Sequence, residues 1–567
     1  MAMISYASGT SCEPLIGETV GEMLERICAT YPDNEALVSV QQNIRWTYRE
    51  FLDRVEKIAC SLMALDVNKG DRVAIWAMNY AEWTLLQFAT AKCGAIMVNI
   101  NPAYRTFELE YALKQAEIHT VFLQGRFKTS DYVGMFYEAC PEAVDARPGK
   151  KISTEKYPFL RNVVFMGDVP YNGMYTWNEF LDKGANISRD ELKERETHLT
   201  FDDPINIQYT SGTTGYPKGV VLTHHNVVNN GYTIGNGMKF TEKDRLCIPV
   251  PFYHCFGMVL SNFACVTHGS TMVLPSPAFD AETVLKTIDE EKCTAVHGVP
   301  TMFIAELKHP NFNKYRYDTL RTGIMAGSPC PIEVMRAVNQ KMHMTDIVIV
   351  YGQTETSPGV TMTTTDDPLE KRVTTIGRVF PHVELKIIDP VTQRIVPRGE
   401  TGEICARGYV VMKCYYNNPS ATRQTIDSDR WNHTGDLGIM DDDGYFRIVG
   451  RLKEMVIRGG ENIYPREIEE FLHTNPKIED VYIIGVPDEK YGEELMAWVK
   501  VKDKQQLTGD EIKEFCDGKI ARYKIPRYYK FVDDFPMTVA GKIRKHEMQE
   551  ISIKELGLEK EAKIETA

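Results

Sequence analysis

Over roughly the first 350 residues, short uninterrupted apolar runs alternate with segments whose apolar positions recur at helical spacing. Arg72 to Ala77 is one such run and predicts a strand. Ala81 to Lys92 carries a helical pattern, Gly94 breaks it, and Ala95 to Asn99 predicts a second strand, which together make a strand–helix–strand unit. The alternation returns with strands at 246–250, 271–274, 294–297, 322–326 and 346–350, and with amphipathic helices over Ala281 to Glu291 and Pro331 to Lys341. Apolar strands without polar alternation are buried on both faces, so the pattern predicts an α/β fold with stacked, largely parallel sheets.

Beyond residue 370 the texture changes. Gly377, Pro381, Pro390, Pro397, Gly399, Gly402 and Gly408 punctuate short strands, a turn-rich β region. Gly438 to Gly450 places Asp442-Asp443-Gly444 between two strand-like pieces, a hairpin signal. From about residue 453 comes a helix (Arg466 to His473), two strands (Val481 to Val486, Leu495 to Val501), a helix (Asp510 to Arg522) and a strand (Tyr528 to Val532), a small α+β unit of workable domain size. The chain is therefore expected to hold a large N-terminal domain, 1–450, of parallel α/β sheets plus a small β region, and a small C-terminal α+β domain, 451–567. A short hinge at Gly450-Arg451-Leu452-Lys453 joins them, with no low-complexity linker.

Length and charge narrow the function classes. At 567 residues the chain exceeds one ordinary core. A net charge of −13 disfavours binding along a nucleic-acid backbone, which needs a basic face to displace counterions. A local basic site for a small anion is compatible with it. The thirteen cysteines are odd in number, scattered and without a Cys-x-x-Cys pair, which predicts reduced, buried thiols. Met1 to Glu13 lacks a charged start followed by an apolar run, and no stretch of about 18 apolar residues occurs. Neither a signal peptide nor a transmembrane segment is expected, and the location read from the sequence is cytoplasmic. The oligomeric state stays open, with a homodimer as one option.

The densest motif is Tyr209-Thr210-Ser211-Gly212-Thr213-Thr214-Gly215-Tyr216-Pro217-Lys218-Gly219, between predicted strands at Ile205 to Tyr209 and Val220 to Thr223. Its glycines let the backbone approach an anion closely, its hydroxyls and amides can donate to phosphate oxygens, and Lys218 adds a charge. It is not a Walker A loop, because Lys218 is followed by Gly219 and a strand. Tyr351-Gly352-Gln353-Thr354-Glu355-Thr356 follows the strand at 346–350, where parallel sheets place ligands. Tyr351 offers a flat face for a purine, Thr354 a hydroxyl for a phosphate, and Glu355 a hard oxygen ligand for Mg2+. Ala326-Gly327-Ser328-Pro329 ends another strand, and Thr434-Gly435-Asp436 offers a carboxylate for a ribose, although such a triplet is ordinarily a turn. By position alone, His254 in Phe252-Tyr253-His254-Cys255-Phe256-Gly257 reads as a packed core residue, and Lys542 in Ala540-Gly541-Lys542-Ile543 as a solvated lysine of a basic tail.

In this order the motifs resemble those of the adenylate-forming superfamily, which includes acyl-CoA synthetases, peptide-synthetase adenylation domains and firefly luciferase. The resemblance covers nearly the whole chain. It implies an AMP-forming acyl-CoA synthetase with ATP and coenzyme A as substrates and Mg2+ as cofactor. It implies that Thr210, Ser211, Gly212, Thr213, Thr214, Gly215 and Lys218 hold the phosphates of ATP, and that Gly327, Ser328, Tyr351 and Gly352 surround the adenine. Thr354 then meets a phosphate, Glu355 and Thr210 the metal, and Asp436 and Arg451 the ribose. Lys453 becomes the hinge of a mobile C-terminal domain, and Arg458, Gly459 and Gly460 line the path of coenzyme A. Lys542 becomes catalytic, and His254 positions the acid. Glu454 stands where the common form of the hinge motif has Asp, which keeps the charge.

The implied chemistry runs in two half-reactions. The carboxylate of the acid attacks the α-phosphorus of Mg-ATP and pyrophosphate leaves, with Lys542 offsetting the developing charge. The C-terminal domain then rotates about Lys453, and the thiol of coenzyme A attacks the acyl carbonyl of the adenylate and releases AMP. Gly352 stands where acetate-specific relatives carry tryptophan, so acetate is not the expected acid. The stretches Phe252 to Gly257, Pro300 to Glu306 and Ala326 to Pro331 look most like medium-chain and fatty acyl-CoA synthetases, with an alicyclic or aryl acid as the alternative. A luciferase-type oxygenase, an adenylation enzyme loading a carrier protein and a non-catalytic nucleotide-binding module are the competing readings. The joint presence of Lys542, Glu355 and Asp436 opposes the last.

Overall fold

The computed structural model describes residues 3–210, 217–328, 330–458, 461–537 and 543–559. Backbone packing divides the chain into two units, Ala7–Leu385 with Ala406–His433, and Met1–Tyr6 with Lys386–Cys405 and Thr434–Ala567. Among the described residues no helix is long and apolar enough to cross a membrane. None of the thirteen cysteines is in a disulfide, and ten of them are buried, as their scatter predicts.

In the larger unit the first strand–helix–strand expectation is met by β1 (Arg72–Trp76), α1 (Ala81–Cys93) and β2 (Ile96–Asn99). Both strands bury their apolar residues, and every residue of α1 except Glu82 is buried, so this helix is enclosed on all sides. Gly94 ends α1 at φ +81°, and a Cβ there would lie 2.6 Å from Leu199 Cδ2. Backbone and packing both demand glycine. With β3 (Thr120–Leu123), β4 (Asn162–Phe165), β5 (Pro204–Thr210) and β6 (Lys218–Thr223) the strands form a seven-stranded sheet. Its order is Cys414–Tyr415, β6, β5, β2, β1, β3, β4. From β5 to β4 all neighbours are parallel, while β6 and Cys414–Tyr415 are antiparallel additions at one edge.

A second sheet of nine strands takes up β7 (Arg245–Cys247), β8 (Thr271–Leu274), β9 (Ala295–Val296), β10 (Thr322–Met325), β11 (Asp346–Gly352) and β12 (Gly359–Met362). The strand expected at 246–250 stops at Cys247, two residues before Pro249, which has no N–H to continue the ladder. The spatial order β8-β7-β9-β10-β11 is parallel throughout. Chain order therefore reverses between β7 and β9, and a crevice at the carboxyl ends of such strands is where α/β sheets hold ligands. The helix α2 (Pro300–Lys308), with proline in its first turn, leaves β9 at that edge.

In the smaller unit, residues 436–440 pair antiparallel with β13 (Phe446–Arg451), as the Asp442-Asp443-Gly444 signal predicts, and Gly444 takes φ +82° in the turn. The tail carries α3 (Pro465–Leu472), a long hairpin of β14 (Ile478–Asp488) and β15 (Gly492–Val501), α4 (Gly509–Cys516), β16 (Tyr528–Phe531) parallel to β15, and α5 (Lys545–Leu556). The helix expected to reach Arg522 starts at the Thr508–Glu511 capping box and ends at Cys516, ahead of Gly518 at φ +67°.

Candidate active site

Thr210 and Lys218 are cross-strand partners at the end of the β5–β6 hairpin, with Thr210 Oγ1 3.5 Å from the Lys218 carbonyl oxygen. Ser211, Gly212, Thr213, Thr214 and Gly215 lie outside the described residues, and Tyr209 and Pro217 are described on either side of them. Both ends are fixed from the helix Thr106–Gln115. Tyr111 donates to the Pro217 carbonyl at 3.0 Å, and the Tyr209 hydroxyl donates to Gln115 Oε1 at 2.7 Å.

The ammonium of Lys218 lies 5.0 Å from the ring centre of Tyr415. The hydroxyl of the same tyrosine donates to Glu355 Oε1 at 2.7 Å, and the Met412 N–H donates to the Glu355 carbonyl at 2.9 Å. Burial, reinforced by the Glu355 charge, pushes the Tyr415 phenol far above its ordinary range, so it stays a donor. The structure thus gathers Lys218 and Glu355, two motifs far apart in sequence, around one ring that sequence reasoning missed.

Pairing of β10 with β11 sets Met325 opposite Ile349, so Gly327 and Ser328 leave the carboxyl edge beside Tyr351. Gly327 has φ +89° and is exposed, as is Ser328. Tyr351 is half-buried. A Cβ on Gly352 would meet the Pro358 carbonyl oxygen at 1.7 Å, so glycine is needed there for backbone contact alone. Thr354 and Glu355 follow in a short 3-10 turn, Thr354–Thr356, pinned by Thr356 Oγ1, which donates within reach of the Gln353 and Pro358 carbonyls at 3.0 and 2.8 Å. Thr354 and Glu355 are 9% and 8% exposed.

His254 lies beyond β7, at the switch point. The Phe256 N–H donates to His254 Nδ1 at 3.2 Å, which places the proton of a neutral ring on Nε2. A π-helix, Phe256–Phe263, follows, a rare form that marks functional sites. A buried amide network ties this segment to the first sheet. The Cys255 thiol donates to Gln208 Oε1 at 3.0 Å, Gln208 Nε2 lies 3.3 Å from Met258 Sδ, and Asn99 Nδ2 donates to the Tyr253 carbonyl at 3.3 Å. Gln208 is two residues before Thr210, so the phosphate loop and the His254 segment share one support. The amides Asn206 and Gln208 within an otherwise apolar strand were the available signal. On α2, Glu306 is 1% exposed and its Oε2 has no hydrogen-bond partner among the described residues. Burial pushes its carboxyl up to about 8.

In the smaller unit, Asp436 and Arg451 are cross-strand partners, with Arg451 Nε 2.9 Å from Asp436 Oδ1. Thr434 Oγ1 donates to the Ile404 carbonyl at 2.7 Å, and Gly435 turns at φ +68° with its N–H on Glu403 Oε1, which sets the Asp436 carboxylate. Lys453 is exposed in the 3-10 turn Leu452–Glu454. Arg458 does not simply face solvent. Its Nη2 is 2.6 Å from Glu494, whose side chain is 1% exposed, and its guanidinium lies 4.2 Å from the Tyr491 ring centre. Gly459, Gly460 and Lys542 lie outside the described residues.

Residues 24–416 match the family model described as AMP-binding enzyme, and residues 467–542 match its C-terminal domain. A Bacillus subtilis protein named as an acyl-CoA synthetase is 52% identical over 96% of this chain and 99% of its own length. A mitochondrial medium-chain acyl-CoA ligase of Danio rerio is 45% identical over 98% of this chain and 91% of its own. The crystal structure of ATP-bound MatB from Rhodopseudomonas palustris superposes with a TM-score of 0.80 at 28% identity, covering 95% of this chain and 100% of that one. With the nucleotide motifs in family order on the family fold, the chain belongs to the AMP-binding enzyme family, the adenylate-forming enzymes, as an AMP-forming acid–thiol ligase of the acyl-CoA synthetase type.

Proposed function

We propose that the chain joins a medium-chain aliphatic acid to coenzyme A in two steps. ATP and the acid give an acyl-adenylate and pyrophosphate, and the thiol of coenzyme A then displaces AMP. The observation that carries this reading is the meeting of Lys218, Tyr415 and Glu355 at the end of the phosphate-loop hairpin. A cation for phosphate and a carboxylate for its counter-ion stand on one rigid support.

In this reading Thr210, Ser211, Gly212, Thr213, Thr214, Gly215 and Lys218 cradle the β- and γ-phosphates. Tyr351 stacks on adenine beside Gly327, Ser328 and Gly352, and Thr354 donates to the α-phosphate. Asp436 accepts from the ribose hydroxyls while Arg451 holds its carboxylate in place. His254 orients the acid, with the proton of the neutral ring on Nε2. Lys542 offsets charge at the α-phosphate. Lys453 is the hinge between 1–450 and 451–567, and Arg458, Gly459 and Gly460 border the route of coenzyme A, Arg458 as a strut on Glu494.

The donor set fits Mg2+. Glu355 is a hard carboxylate with one oxygen oriented by Tyr415, and Thr210 adds a hydroxyl, which suits an ion that keeps few protein ligands and takes the rest from phosphate and water. When bound it would supply charge neutralisation to the triphosphate. The medium chain length is supported by the likeness to the Danio rerio ligase, and a cytoplasmic location fits the likeness to the Bacillus subtilis protein.

The test is thioester formation with Mg-ATP and coenzyme A across acetate, octanoate, palmitate, benzoate and cyclohexanecarboxylate. Highest kcat/KM on octanoate supports the reading. A preference for a ring acid moves the substrate class, and pyrophosphate release without thioester moves the acceptor to a carrier protein.

A further inference from the structure

Gln115 is the last residue of the helix Thr106–Gln115, and its amide joins two strands on either side of β6. Nε2 donates to the Tyr416 carbonyl at 2.8 Å, and Oε1 accepts from the Tyr209 hydroxyl of β5 at 2.7 Å. A carbonyl only accepts, so Nε2 has to face Tyr416, and the Tyr209 phenol is left as the donor to Oε1. Burial holds that phenol far above its ordinary range, in keeping with a donor. A Cβ on Gly219 would lie 3.6 Å from Gln115 Oε1, so the amide passes over β6, the strand that begins at Lys218.

The turn after the helix adds a second grip on Tyr416. Glu117 takes φ +51°, a left-handed conformation that glycine enters without a steric cost. A side chain is kept there, and it is used. Glu117 Oε2 accepts from the Tyr416 hydroxyl at 3.0 Å and from Arg72 Nη2 at 3.2 Å, which pins the carboxylate. The Tyr416 N–H donates to the Gly219 carbonyl at 2.7 Å. Tyr416 is therefore held at its N–H, its carbonyl and its hydroxyl. The residue before it is Tyr415, whose ring lies 5.0 Å from the Lys218 ammonium and whose hydroxyl donates to Glu355. Removing the Gln115 amide would release the Tyr416 carbonyl and the Tyr209 hydroxyl together, on both sides of Lys218.

We propose that Gln115 is a positioning residue for ATP: by bonding Tyr209 and Tyr416 with one amide, it seats the Tyr415 ring between Lys218 and Glu355. This rests on the roles proposed above for Lys218 and Glu355.

The test reads binding before turnover. Mg-ATP is titrated into the full-length protein by calorimetry. Exchange of labelled pyrophosphate into ATP with octanoate then reads adenylation, and thioester release from prepared octanoyl-adenylate plus coenzyme A reads the second step. Gln115→Leu is expected to raise the Kd for Mg-ATP by about 3- to 10-fold, one shell further out than a partner that orients a metal ligand directly. In exchange, KM for ATP is expected to rise by a similar factor while KM for octanoate stays within about 2-fold and thioester release within about 3-fold. Gln115→Glu keeps the shape and the acceptor for Tyr209 but loses the donor to Tyr416, so it is expected to raise the Kd with little change in melting temperature, which keeps the test open where leucine unfolds the chain. Combined with Tyr415→Phe, either variant is expected to weaken binding by less than the product of the single effects, because both act through one ring. An unchanged Kd, equal losses in both half-reactions, or a fully multiplicative double variant would each overturn the positioning role while the wild type still binds ATP and makes thioester. A wild type that neither binds ATP nor turns over would overturn the functional reading and this inference together.

Discussion

Tyr415 donates its hydroxyl to Oε1 of Glu355 at 2.7 Å, and its ring lies 5.0 Å from the ammonium of Lys218. In the proposed function, one side chain thus orients the carboxylate assigned to the metal and faces the cation assigned to the phosphates. A cation over an aromatic face contributes about 0.5–2 kcal/mol, and a hydrogen bond to a charged acceptor about 1.5–3 kcal/mol. The tyrosine is therefore a structural and an electrostatic hub between Lys218 and Glu355.

Tyr415→Phe keeps the ring under Lys218 and removes the donor to Glu355. The expected result is a rise of about 10-fold or more in the Mg2+ concentration needed for half-maximal pyrophosphate exchange, the usual penalty for losing a partner that orients a metal ligand. A magnesium titration of the exchange reaction checks it. An unchanged midpoint would detach Tyr415 from the metal site.

Gly352→Ala puts a methyl group where the Pro358 carbonyl oxygen stands, 1.7 Å from the new carbon. β11 and β12 have to part locally, at a cost of about 1–3 kcal/mol. A lowered melting temperature and a raised KM for ATP, with KM for coenzyme A little changed, are expected. A variant with wild-type melting would mean that this part of the sheet yields freely.

Glu306 has a folded-state carboxyl raised to about 8 by burial, above the ordinary carboxylate range. Between the two values the folded chain binds the proton that the unfolded chain has lost. Stability therefore falls as pH rises from about 4.5 toward 8. Glu306→Gln removes this titration and keeps the shape. Its melting temperature relative to wild type is expected to be higher at pH 8.5 than at pH 5.5. A difference independent of pH would contradict the burial argument.

What was legible in the sequence follows from how local each signal is. The loop at 209–219 and the run Tyr351–Thr356 announce themselves because their glycines, hydroxyls and charges are contiguous, and their strands follow from uninterrupted apolar runs. Asp436 and Arg451 were each assigned alone, and the hairpin register then makes them partners. Tyr415 was not legible. It lies in a two-residue strand, and nothing in Cys414-Tyr415-Tyr416 tells which ring faces Glu355. Tyr416 in fact donates to Glu117 at 3.0 Å. Gln208 showed only as an amide in an otherwise apolar strand, and its partner Cys255 was not legible, because their hydrogen bond spans two layers of the fold. Gly352 was read for the space that it leaves, and the structure adds a backbone carbonyl that requires it. Arg458 was read beside its glycines, whereas its guanidinium reaches Glu494, a tertiary contact without a local pattern.

The measurement that tests the central claim most directly follows the oxygen atoms. Octanoate labelled with oxygen-18 in its carboxylate is incubated with the protein, Mg-ATP and coenzyme A, and the nucleotide product is analysed by mass spectrometry. Attack of the carboxylate on the α-phosphorus leaves one labelled oxygen in AMP, matched by one octanoyl-CoA and one pyrophosphate. Label in inorganic phosphate with ADP as the nucleotide product, or AMP free of label, would contradict the acyl-adenylate route.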